Sequence, residues 1–111
     1  MQDERLRGIF HCFTGNIKQA RRAIDFNMLL GIGGVVTFKN SGLVHTVASI
    51  PIQHIVLETD APYLAPTPFR GKRNESSYII HVAEKLASIY NVSPAEVSKL
   101  TTENAINLFR L

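Results

Sequence analysis

The chain has 111 residues, 45% of them hydrophobic, and a formal net charge of +3, which sets the expectation of one globular α/β or mixed domain over residues 1–111. No stretch reaches the ~18 uncharged apolar residues of a membrane helix. The polar start Met1-Gln2-Asp3-Glu4-Arg5 is unlike a signal peptide and the lone Cys12 cannot form an internal disulfide, so the expectation is a cytoplasmic protein without a membrane association, whose mild charge does not by itself announce a nucleic-acid binder.

Short apolar runs alternate with segments of helical period, the pattern of βαβ units. Leu6 to Phe13 is rich in branched and aromatic residues and stops at Thr14-Gly15, as a strand does. Asn16 then caps a helix, with Gln19 three residues on to complete a capping box. Ile17, Ala20, Ala23 and Ile24 recur on one side, and Lys18, Arg21 and Arg22 fall on the other. Met28 to Gly33 is apolar throughout, as in a parallel strand covered on both faces, with a turn or bulge at Gly33-Gly34. Ser41 to Ser49 reads as a short helix with Leu43, Val44 and Val47 inward, and Pro51 stops it before a third strand, Ile55-Val56-Leu57-Glu58. The proline-rich stretch Ala61 to Arg73 is a long loop, and loops of that length in compact domains usually carry function.

The remainder is helical. Tyr78 to Tyr90 turns Ile79, Val82, Ala83, Leu86 and Tyr90 inward. Ser93-Pro94-Ala95-Glu96 combines an N-cap, a first-turn proline and a capping-box glutamate, and Thr102 is placed to cap a last helix carrying Ala105, Ile106, Leu108 and Phe109. The order is β-α-β-α-β-α-α, and right-handed crossovers make the three strands parallel. Three such strands have two open edges, whereas parallel sheets occur in larger doubly wound folds or in a closed (β/α)8 barrel of ~250 residues. The fold expected is therefore an incomplete part of one or the other, whose open strands seek a second copy or the missing N-terminal half.

Ligands in α/β folds gather at the carboxyl ends of the strands. There the sequence places His11-Cys12-Phe13-Thr14-Gly15, Thr37-Phe38-Lys39-Asn40 and Glu58-Thr59-Asp60-Ala61-Pro62-Tyr63. Imidazole and carboxylate together suit a divalent ion, which makes His11 and Asp60 candidate ligands. The plainer alternatives are a histidine that hydrogen-bonds at a strand end and an aspartate that caps the following turn. Glu58, two residues before Asp60, shares its side of an extended chain and is a supporting group or an inward-pointing barrel residue. Arg70, Lys72 and Arg73 offer a phosphate-binding loop or a solvated one. His45, His54 and His81 read as surface or packing residues, and Cys12 as core rather than nucleophile.

These blocks, in order, resemble the signatures of TatD-type metal-dependent hydrolases: His11 to Gly15, Gly34-Val35-Val36-Thr37-Phe38-Lys39-Asn40, Leu57-Glu58-Thr59-Asp60-Ala61-Pro62-Tyr63-Leu64-Ala65-Pro66, Arg70-Gly71-Lys72-Arg73-Asn74-Glu75, and Thr102-Glu103-Asn104-Ala105-Ile106-Asn107-Leu108-Phe109. The resemblance covers nearly the whole chain. It implies an amidohydrolase-like (β/α)8 barrel of which this chain supplies the last three strands and C-terminal helices. The implied activity is a deoxyribonuclease cleaving DNA phosphodiester bonds with two divalent ions (Mg, Mn or Zn) per complete site.

Carried over residue by residue, His11 and Asp60 become metal ligands, with Asp60 catalytic. Arg70, Lys72 and Arg73 are placed to meet the DNA backbone, a role inferred rather than transferred. The family's paired first-strand histidines, bridging glutamate and a further histidine belong to an N-terminal part that the chain lacks, and Ser76 stands where the family commonly has proline. Two ligands do not organise a two-metal centre, so the isolated chain is expected to be inactive. The alternatives are a non-catalytic fragment that binds nucleic acid weakly and an ester or amide hydrolase built on the same metal layout.

Overall fold

Three short strands run side by side and parallel in the order of the chain: β1 (Gly8–Phe10), β2 (Met28–Ile32) and β3 (Ile55–Leu57). They belong to a computed structural model that describes residues 8–38, 41–58 and 79–108. The pairing runs Gly8↔Met28 to Phe10↔Leu30 on one side of β2 and Leu30↔Ile55 to Ile32↔Leu57 on the other. The middle strand is apolar because it is covered: Leu30 and Ile32 are fully buried.

The crossover helix α1 (Ile17–Asp25) starts as its sequence dictates. The Asn16 side chain accepts from the Gln19 amide, and the Gln19 side chain accepts from the Asn16 amide, both at 2.9 Å. Its small buried residues, Ala20 and Ala23, let the helix lie close on β2. Asn27, in the left-handed conformation at φ 63°, reverses the chain into β2, a role asparagine fills readily.

Beyond β2 the chain makes a 3₁₀ turn over Gly34–Thr37 before α2 (Leu43–Ala48), and a second over Ile52–His54 before β3. Sequence periodicity marks neither, because one tight turn is too short to carry a period. Leu43 and Val47 are buried as expected, whereas Val44 is half-buried. In α3 (Ile79–Tyr90), Val82, Ala83, Leu86 and Ala87 are buried, and the Tyr90 hydroxyl donates toward the carbonyls of Val47 and Ile50 at 3.0 and 2.6 Å. Past its end, the Val92 amide donates to the Ala87 carbonyl, with Asn91 left-handed between them.

One sequence expectation is corrected. Thr102 caps nothing: α4 runs unbroken from Pro94 to Leu108, with Thr102 exposed inside it. No glycine or proline interrupts residues 95–108, and the neighbouring Thr101 returns its hydroxyl to the Val97 carbonyl at 2.8 Å, so the helix has no reason to stop. Ser93 is the true cap, accepting from the Glu96 amide at 3.1 Å. The core gathers Phe13, Leu30, Ile32, Val36, Ile55, Leu86 and Val97 between sheet and helices, each stabilising by about 1.5–3 kcal/mol through its burial.

Candidate metal centre

His11 and Glu58 meet at the carboxyl ends of β1 and β3. One step beyond Phe10↔Leu30 brings His11 level with Gly31, and the Glu58 amide continues the sheet by donating to Ile32 O at 3.0 Å. Strand alternation then puts His11, Gly31 and Glu58 on one face. From β3 the Glu58 side chain crosses β2, and its Oε2 lies 3.0 Å from His11 Nδ1. Its other oxygen, Oε1, accepts the backbone N–H of Cys12.

The Cys12 amide is available because the strand has ended there: Cys12 sits in the left-handed region at φ 50°. This conformation costs a non-glycine residue free energy, and among the described residues the other two that adopt it outside glycine are asparagines. The distortion turns a backbone N–H toward the carboxylate, while the next amide, Phe13, resumes the sheet by donating to Gly31 O at 2.9 Å.

An ionised carboxylate only accepts, so the contact with Glu58 places a proton on His11 Nδ1 and leaves the Nε2 lone pair for a ligand. The His11 side chain is 77% exposed and that of Glu58 only 15%, so the carboxylate forms the fixed base and the imidazole the accessible tip. An imidazole and a carboxylate fit a divalent ion of the Zn, Mn or Mg type. Among the described residues no group of three or more His, Cys, Asp or Glu side chains could hold one.

Asp60, Arg70, Lys72 and Arg73 lie outside the described residues. His45 is exposed on α2, His54 is half-buried in the turn before β3, and His81 on α3 stands 3.8 Å from Glu84, all away from the rim. Sequence reasoning missed two participants. The Cys12 backbone amide left no trace in side-chain chemistry. Gly31 did leave one, as a lone glycine inside a strand that otherwise reads Met-Leu-Leu-Gly-Ile, a place where another group often approaches closely.

Comparison with known proteins gives this geometry its context. The chain matches the family described as "TatD related DNase" over residues 1–110. It is 47% identical over 109 residues to YabD of Bacillus subtilis, named an uncharacterized metal-dependent hydrolase, covering 97% of this chain and 43% of that protein. Among solved structures, the TatD homologue YjjV of Escherichia coli superposes with a TM-score of 0.85 at 28% identity, over 94% of this chain and 40% of the other. A TatD family hydrolase from Entamoeba histolytica shares the fold at a TM-score of 0.79 and 24% identity, over 92% of this chain and 42% of the other. The chain thus spans about two-fifths of the length of the relatives it matches, and its three parallel strands with their helices form one portion of their barrel. Sequence match and superposition each cover more than nine-tenths of this chain, and the chain belongs to the TatD-related DNase family.

Proposed function

We propose that this chain forms part of a metal-dependent nuclease site in which His11 and Asp60 are metal ligands, Glu58 orients His11, and the substrate is a DNA phosphodiester. The observation that carries the reading is the His11–Glu58 contact of 3.0 Å beneath an exposed imidazole. A ligating histidine that gives its second nitrogen to a carboxylate is held in one tautomer and made a better donor. The family's description as a DNase and the naming of YabD as a metal-dependent hydrolase support the same class of chemistry.

When bound, two divalent ions of the Mg, Mn or Zn type would supply Lewis acidity and a water acidified enough to attack phosphorus. The chain's own part is positional. Glu58 fixes the imidazole plane and Asp60, two residues on, adds a carboxylate. Arg70, Lys72 and Arg73 meet phosphate oxygens through charge-assisted hydrogen bonds, so binding should weaken as salt rises.

The test is hydrolysis of labelled single-stranded DNA in Mn²⁺ or Mg²⁺ by the purified chain and its His11→Ala and Asp60→Ala variants. With so few ligands in one chain, little or no cleavage is expected from it alone. Any cleavage that does occur should need the divalent ion and disappear in both variants. Cleavage that persists in EDTA, or survives both substitutions, would overturn the assignment.

A further inference from the structure

The Glu58 carboxylate starts on the third strand and ends against the first, so it must pass over the strand between them. At the crossing point that strand has no side chain. A β-carbon built on Gly31 would have as its three nearest neighbours the atoms of the Glu58 carboxyl group, with Cδ at 2.7 Å, closer than real contacts allow, and Oε1 at a tight 3.1 Å. Gly31 is a regular ladder residue paired with Val56, its carbonyl accepts from Phe13, and its φ is not positive. Backbone conformation therefore does not require glycine there. The space above it does, because Glu58 fills that space.

We propose that Gly31 is a positioning residue of the site: lacking a side chain, it opens the passage across β2 through which Glu58 reaches both His11 and the Cys12 amide. The proposal deepens the metal-site reading and rests on it for its functional meaning, while its geometry can be tested without metal. A methyl group at position 31 displaces the carboxylate. His11 then loses the partner that fixes its Nδ1 proton, and the Cys12 N–H, turned inward by a left-handed residue, loses its acceptor.

The experiment is a double-variant cycle in the 111-residue chain: wild type, Gly31→Ala, Glu58→Ala and the two combined. NMR reads the Cys12 amide proton shift and exchange rate and the His11 ring nitrogens, and calorimetry with Zn²⁺ alone reads metal affinity. Gly31→Ala should reproduce Glu58→Ala. The Cys12 amide should move upfield and exchange about 10- to 100-fold faster, the His11 tautomer should cease to be fixed, and Zn²⁺ affinity should fall by about 10- to 100-fold. In the Glu58→Ala background, Gly31→Ala should change none of these further. Independent, additive effects would overturn the proposal, as would a Gly31→Ala chain that keeps the wild-type Cys12 and His11 signals. If Gly31→Ala alone fails to fold, the combined variant decides: recovery of the fold supports the proposal, and continued unfolding means that something other than Glu58 forbids the methyl group. If Zn²⁺ binds no variant, as a partial ligand set allows, the Cys12 and His11 signals alone decide the positioning role.

Discussion

Tyr90 shows how one side chain can give the molecule a pH dependence remote from its candidate chemistry. Its hydroxyl donates toward two carbonyls, of Val47 and Ile50, and burial holds the phenol far above its ordinary pKa of 10.0. A folded-state pKa raised above the unfolded value gives stability that is complete below the unfolded pKa and is lost as pH climbs above it, since only the unfolded chain then releases the proton. Urea denaturation at a series of pH values should therefore show stability falling above about pH 10. In Tyr90→Phe that component of the decline should vanish, with a loss of about 1–3 kcal/mol at neutral pH because two carbonyls lose their donor. Identical pH slopes for the two proteins would remove Tyr90 from this role. At the same scale, His11 and Glu58 could be chosen from sequence because each lies just past an apolar strand. The contribution of Cys12 was hidden because it acts through its backbone, and that of Gly31 showed only as a lone glycine inside a strand.

Between elements, the connection to test is the one that α4 makes with the entry to β3. The Asn104 side-chain amide donates to the carbonyls of Ile52 and Ile55 at 2.8 and 2.7 Å, tying the helix to the turn that aims the strand toward Glu58. Asn104→Ala leaves both carbonyls without this donor and should destabilise the chain by about 1–3 kcal/mol in equilibrium urea unfolding. A change below a few tenths would show that solvent replaces the amide without loss. Nothing in sequence distinguishes Asn104 from an exposed helical asparagine, since its partners lie 52 and 49 residues away. Strands and caps, by contrast, were legible because they are local. The reciprocal Asn16–Gln19 cap and the buried apolar run of β2 stand where residue type and spacing put them. The fusion of two expected helical segments into α4 was missed for the opposite reason: a threonine that suits a cap is also tolerated inside a helix when its neighbours on both sides are helix formers.

At the scale of the whole molecule, the flank of β1 presents exposed aromatic surface. Phe10 on β1 and Phe26 at the end of α1 remain 45% and 53% exposed. They border a surface groove of about 520 Å³ that also includes Phe13 and Met28. Phe10 meets Phe13 edge-to-face at 5.4 Å between ring centres, which fixes an aromatic wall on that side. Relatives of more than twice this length extend the same fold, so a short parallel sheet with an aromatic flank has, in this chain alone, apolar surface that water wets at a cost. Sedimentation velocity across micromolar concentrations should therefore show self-association, seen as a weight-average sedimentation coefficient that rises with loading. Phe26→Lys adds charge at the rim without entering the sheet and should shift the distribution toward monomer. If the wild-type chain gives one sharp monomer boundary at every concentration, or if Phe26→Lys leaves a real association unchanged, the β1 flank is not the surface through which copies meet.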